Sequence, residues 1–260
     1  MQITDDLNRT IALNESPQRI ISLVPSLTEL LFDLGLGDRV VGVTKFCIHP
    51  PQAQQVATKI GGTKKFNFDQ IKALKPDLII ANKEENYKEG IVQLCQYYTV
   101  YVSDIFDLTD ALKTIRAIGS MTDCVAHSKQ LVENIQLAFD SVKNKLKGSV
   151  LYFIWESPFM AAASDNFIDH LLNWLGLENV IGQMTRYPEL NEEVLMSLSP
   201  DYIFLSSEPF PYKEKHIQAY QKLFPNAEVL LVDGEMFSWY GSRLALAPAY
   251  FMSLPISRQR

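Results

Sequence analysis

The feature that most constrains this chain is the amphipathic run through its middle, residues 104–147. It holds no proline, and Gly119 is its only glycine. Apolar residues recur at helical spacing: Leu108, Leu112, Ile115 and Ile118, then Leu131, Ile135, Phe139, Val142 and Leu146. Asp107 and Asp110 open the run and Lys143, Lys145 and Lys147 close it, which is the charge order a helix dipole favours. About forty residues at roughly 1.5 Å each would make a helix on the order of 60 Å long. Alternating strand and helix patterns lie on both sides. The spacing therefore predicts one long strut joining two lobes, with a coiled coil as the bland alternative. The division expected is an N-terminal α/β lobe over 1–103, a linking helix over 104–147 and a C-terminal α/β lobe over 148–260.

The chain of 260 residues is long enough to bury a substantial core. With 47% hydrophobic and 21% charged residues it has ordinary globular composition. A net charge of −6 without a Lys/Arg cluster argues against a nucleic-acid partner. No apolar run reaches the roughly 18 residues of a membrane span. The N-terminus lacks a basic stretch followed by an apolar one, so its own pattern points to the cytoplasm unless a leader has been removed. Cys47, Cys95 and Cys124 have no framework spacing and read as reduced thiols. Nucleophile-elbow, P-loop and dinucleotide-binding patterns are absent from the sequence.

Taken in order, residues 1–18 form an extended lead-in. Ile20 to Val24 is a short apolar strand, and Ser26 is placed to cap a helix over Leu27 to Leu34 with Glu29 three residues on. Gly35 and Gly37 stop that helix, and Val40 to Val43 is the next strand. Strand, helix and strand within so short a stretch make a βαβ unit and hence a parallel sheet. The loop KFCIHPPQAQQ follows, then a helix, a proline turn and a strand in FDQIKALKPDLIIA. The second half repeats the plan and ends in a loop, GEMFSWYGS, before a terminal helix. FDQIKALKPDLII and EEVLMSLSPDYIF both run from a helix through L-x-P-D into a strand. Asp69 and Glu193 stand at the same distance before their prolines, as a matched pair of acids opening equivalent helices. The plain alternative is that each merely serves its helix dipole, worth about 0.3–1 kcal/mol.

PQRIISLVPSLTELLFDLGLGDRVVGVT, GGTKKFNFDQIKALKPDLIIA, the strut and NEEVLMSLSPDYIF together resemble the helical-backbone substrate-binding proteins of ABC importers, which bind ferric siderophores, haem and vitamin B12. The likeness runs from about residue 18 to the end and is strongest to the vitamin B12-binding branch. It implies two α/β lobes with mainly parallel central sheets, a ligand clasped in a cleft and little hinge motion. It also implies that Asp69 and Glu193 dock onto arginines of a membrane permease, Asp69 being one methylene shorter than the usual glutamate. Periplasmic residence follows from the same resemblance, and a monomer with no intrinsic cofactor is expected.

A corrin, porphyrin or other chelate is flat and large, so aromatic faces with a few polar anchors suit it. Candidates at strand ends are Ser26 and Leu27, then Trp155 with Glu156 and Phe159 after it. Tyr187 falls where the B12-binding branch has a tryptophan against the corrin. Phe237, Trp239 and Tyr240 occupy the late loop, where burial is not expected. Cys47 and His49, with Glu84 and Glu85 after the neighbouring strand, raise a further reading in which this loop holds a metal or ligates a cofactor. C-x-H alone is a weak motif, and a buried thiol beside a solvent-facing histidine is the plainer account. The expectation is a receptor that hands cobalamin or another metal chelate to a permease. A cytoplasmic sensor or carrier of the same fold is the runner-up, and a metal-dependent enzyme using Cys47, His49 and Glu84 comes behind it.

Overall fold

Short apolar runs bounded by proline or glycine become strands covered on both faces, as parallel sheets require. In the computed structural model, which describes residues 1–258, Ile20, Ile21, Leu78, Ile79 and Ile80 are wholly buried. The chain divides into two compact units, one made of Met1–Ile105, Thr109–Ile135 and Tyr240–Ala245, the other of Phe106–Leu108, Gln136–Trp239 and Leu246–Arg260.

The sheet of the first unit runs in the spatial order Thr58–Lys59, Val40–Val43, Ile20–Ser22, Leu78–Asn82, Val100–Ser103, with every neighbour parallel. The order reverses at Ile20–Ser22, whose partner on one side is the next strand in sequence and on the other is Leu78–Asn82. The lead-in is a small antiparallel hairpin, Gln2–Thr4 with Thr10–Ala12. In the second unit Gly148–Trp155 is central. It pairs parallel with Leu177–Asn179 and Tyr202–Ser206 and antiparallel with Met160–Ala161, while Glu228–Val232 extends the sheet beyond Tyr202–Ser206. The α/β class and the predominantly parallel sheets follow the expectation.

The single strut does not. Residues 104–147 hold two helices, Leu108–Met121 and Val125–Val142, separated by a turn in which Asp123 is left-handed at φ 62. The Cys124 amide donates back to the Gly119 carbonyl at 2.8 Å, and Thr122 Oγ1 donates to the Ile118 carbonyl at 2.8 Å, so the first helix ends properly satisfied. Gly119 lets the second helix approach the first just beyond this turn. A Cβ at that position would lie 2.0 Å from Ser128 Oγ, so the two helices pass in close contact at this point. The linker is consequently not a separate segment. The first helix belongs almost wholly to the first unit, and the second helix crosses from one unit to the other.

Two local expectations are also corrected. The helix Pro25–Asp33 is capped by the backbone of Val24 with Pro25 in its first turn, and Ser26 lies inside it without a capping bond. Glu29 is thereby released for another partner. In place of a late loop, Gly234–Ser238 is a short helix begun by the Asp233 side chain, which accepts the Glu235 amide at 3.0 Å. A 3-10 turn, Ser242–Ala245, follows.

Candidate functional site

In an open parallel sheet, ligands bind where the strand order reverses, beyond the carboxyl ends of the strands. In the first unit that position falls between Ile20–Ser22, which leads into Pro25–Asp33, and Leu78–Asn82, which leads into residues 82–86. Asn82 fixes the second of these loops: its side-chain oxygen accepts the amides of Glu84 and Glu85 at 2.9 and 3.0 Å. Asn86 Nδ2 donates to the Leu23 and Thr63 carbonyls at 3.2 and 3.1 Å and ties that loop to its neighbours.

Arg243 braces the helix Pro25–Asp33 through Glu29. It donates two parallel hydrogen bonds to Glu29, Nε to Oε2 at 2.9 Å and Nη2 to Oε1 at 2.7 Å. Burial pushes the Glu29 carboxyl above its ordinary range, while Arg243 and, more weakly, His49 oppose that shift. Gly241, at φ +131, lets the incoming chain run against the helix start, since a Cβ there would lie 3.0 Å from the Ser26 carbonyl. Ser26 and Tyr240 are each 5% exposed in this packing.

In the second unit the reversal lies between Gly148–Trp155 and Tyr202–Ser206. The loop after the first carries Trp155, 39% exposed, whose indole N–H donates to the Ser157 carbonyl at 3.1 Å. The loop after the second carries Phe210, whose ring meets that of Trp155 edge-on at 5.6 Å. A braced, partly exposed aromatic face therefore stands beyond the carboxyl ends of these two strands. Glu208 lies in the same loop and accepts the Ser238 hydroxyl and the Trp239 indole N–H, each at 2.8 Å on Oε1. Burial pushes its carboxyl above the usual range, and the nearby Glu235 and Asp233 add to the shift. Tyr187 is half-buried, with the Arg186 guanidinium 5.3 Å from its ring and 5.7 Å from that of Phe106.

Several expected site residues are corrected. Leu27, Cys47 and Phe237 are wholly buried and have no surface to give a ligand. Phe237 is a core ring packed on Tyr152, Phe204 and Phe251, at 5.2, 5.8 and 4.7 Å. Trp239, at 7% exposure, is a packed side chain held by Glu208, contrary to the loop reading. The Cys47 thiol receives a hydrogen bond from Thr28 Oγ1 at 3.1 Å and lies 3.2 Å from Thr44 Oγ1, and burial raises its pKa. A thiol held protonated is a poor metal ligand. Among the described residues no group of three His, Cys, Asp or Glu is placed to hold a metal ion. Half-buried His49 is grouped electrostatically with Glu29.

Asp69 and Glu193 are both exposed, and their settings match. Asn67 caps the helix Phe68–Leu74 by accepting the Gln70 amide at 3.1 Å, and Asn191 caps Glu192–Ser197 by accepting the Val194 amide at 2.9 Å. Each acid is the second residue after its capping asparagine.

Against known proteins, a family model described as periplasmic binding protein matches residues 20–229. The chain belongs to the periplasmic binding protein family. Its relatives include an uncharacterized ABC transporter substrate-binding lipoprotein of Bacillus subtilis, 29% identical over 77% of this chain and 67% of that protein. A vitamin B12-binding protein of Pectobacterium carotovorum is 24% identical over 89% of this chain and 86% of its own length. In fold, the periplasmic vitamin B12 binding protein of Vibrio cholerae superposes with a TM-score of 0.74 at 24% identity, over 90% of this chain and 94% of that one. A periplasmic heme-binding protein from Roseiflexus reaches 0.77 at 18% identity, over 90% and 95%. These relatives are named for binding, not for catalysis.

Arg186, Glu208, Phe210 and Arg243 escaped the sequence reading. Glu208 and Phe210 stand just after an apolar strand, in SSEPF, where the rule that chose Trp155 would have found them. Arg243 could not be found that way, because its partner lies in the opposite half of the sequence.

Proposed function

We propose that this chain captures a corrinoid or another metal chelate, without chemistry of its own, and delivers it to an ABC permease. The observation that carries this reading is the exposed, braced ring of Trp155 beside Phe210 at a sheet switch point. Binding-protein relatives, among them vitamin B12-binding proteins, support it. Tyr187 and His49, both half-buried, are the further side chains assigned to ligand contact, while Ser26, Tyr240 and Trp239 act through their packing. Asp69 and Glu193 are assigned to permease docking, as exposed acids in equivalent first turns. The protein works as a monomer with no resident cofactor.

The experiment is an absorbance titration of the purified protein with cobalamin, haemin and a ferric siderophore. At least one should bind, and Trp155→Ala should weaken it by about 1–3 kcal/mol, the range for removing a stacked anchor. Flat titrations with all three reject the reading.

A further inference from the structure

One buried histidine packs against the ring that braces Trp155. His216 is 9% exposed and lies in the first turn of the helix Glu214–Leu223. Its ring meets Phe210 edge-on at 5.7 Å and Tyr212 at 5.4 Å, and Phe210 is the ring that packs on Trp155.

His216 occupies the third helical position, where a capping box ordinarily places Glu or Gln. Its Nδ1 serves as that acceptor and takes the Lys213 amide at 2.8 Å. With Nδ1 an acceptor, the neutral ring carries its proton on Nε2. Nε2 stands 3.8 Å from Glu156 Oε2, too far for a hydrogen bond and close enough for an ion pair once the ring is charged. Glu156 follows Trp155 directly in the chain.

Protonation adds a donor at Nδ1. The Lys213 carbonyl lies 3.0 Å from that atom and can accept it, while the Lys213 amide gives up its acceptor. The ring can therefore hold either state, but only the charged one attracts Glu156. Tyr212 and Tyr220 share a hydrogen bond of 2.7 Å, and burial pushes both phenols up, so they stay neutral beside it. Lys213, Glu214 and Lys215, at the start of the same helix, are exposed. Glu208, on the loop with Phe210, is engaged by Ser238 and Trp239. Among the described residues, Glu156 is the carboxylate paired with this imidazole.

We propose that His216 is a positioning residue for ligand capture: its charged form pairs with Glu156 and clamps the loop carrying Trp155 to the loop carrying Phe210. The proposal rests on the receptor reading above and adds regulation to it. The guest is held more tightly below the ionisation of this histidine and more loosely above it.

Two readouts test it, on wild type, His216→Gln and Glu156→Gln. Glutamine at position 216 keeps an acceptor for the Lys213 amide but does not titrate, and Glu156, with 34% of its side chain exposed, is replaced without touching the cap. The first readout is fluorine NMR of fluorotryptophan-labelled protein without ligand, the Trp155 signal being assigned with Trp155→Phe. That signal should move between about pH 5.5 and about pH 8 in wild type and stay in place in both variants. A signal that is stationary in wild type, or that moves equally in the variants, overturns the proposal. The second readout is the Kd at those two pH values for cyanocobalamin or, failing it, haemin or the ferric siderophore. Comparison with the variants cancels any titration of the ligand itself. Wild type should gain about threefold in affinity at the lower pH relative to both variants, the scale of a partly exposed ion pair. A pH dependence shared by all three proteins overturns the proposal. If cobalamin, haemin and siderophore all fail to bind while the fluorine signal still responds through His216, the receptor reading falls and the clamp survives.

Discussion

Arg243→Ala should be among the most damaging single substitutions away from the sheets. The guanidinium is 9% exposed and its Glu29 partner 14%, and they share two short bonds of 2.9 and 2.7 Å. Removing one partner of a buried pair costs about 3–5 kcal/mol, chiefly because the other charge is stranded. Glu29 retains some exposure and a weak contribution from His49, so the cost falls at or just below the foot of that range, about 2–3 kcal/mol. In a chain of this size that corresponds to a melting shift of about 4–12 °C. Glu29→Met combined with Arg243→Met removes both charges and should recover most of the loss, giving a coupling energy of about 1.5–3 kcal/mol. The assay is urea unfolding followed by far-UV circular dichroism. Tryptophan fluorescence alone would mislead, since Trp155, Trp174 and Trp239 all lie in the second unit and the ion pair lies in the first. A loss below about 0.5 kcal/mol for Arg243→Ala, or strictly additive single variants, would refute the argument that this pair pins the returning chain to the helix Pro25–Asp33.

Glu208 carries a pH prediction. Its carboxyl is held above the ordinary 4.5, so the folded chain keeps a proton that the unfolded chain has already lost, and this group's contribution to stability falls as pH rises above that value. Glu208→Gln preserves the acceptor for Ser238 and Trp239, so it should flatten melting temperature against pH above 4.5 and cost nothing at pH 8; a clear drop in melting temperature at pH 8 contradicts this. Gly119→Ala forces a Cβ to within 2.0 Å of Ser128 Oγ and should lose about 1–3 kcal/mol in chemical unfolding, part of it restored by Ser128→Gly. Asp69→Lys with Glu193→Lys should leave folding and ligand titration within about 1–2 kcal/mol of wild type while abolishing ligand-dependent ATPase stimulation in reconstituted transporter; full stimulation would remove both acids from docking.

The sequence made the sheets legible because their strands are short apolar runs with unambiguous stops, as in Ile20–Ser22 before Pro25 and Leu78–Asn82 after Pro76. It left the middle illegible because helical periodicity does not record a turn that keeps its hydrogen bonds. Thr122, Asp123 and Cys124 carry no breaker, and the deciding contact, Gly119 against Ser128, is tertiary. The late segment misled for a related reason. SWYGS reads as an exposed loop until Glu208 reaches the Trp239 indole and the Glu29 pair draws Arg243 in, and neither partner is near in sequence. Candidates chosen by strand end keep a surface where the side chain has solvent, as with Trp155, and have none where core rings surround it, as with Phe237.

The repeated L-x-P-D segments show why both halves keep the same acid in the same place. Asp77 accepts the amides of Gln18 and Arg19 at 2.8 and 3.0 Å, just ahead of the strand Ile20–Ser22. Asp201 accepts the Ser149 amide and hydroxyl at 2.7 and 2.9 Å, at the start of Gly148–Trp155, and those bonds hold its carboxyl below the usual range. In each unit the aspartate after the proline thus fastens the first strand to the strand beside it, while the proline stops the preceding helix. With the helix end fixed by this clamp and its start fixed by an asparagine cap, the second residue after the cap has one available position. Asp69 and Glu193 occupy it, and both are exposed first-turn acids.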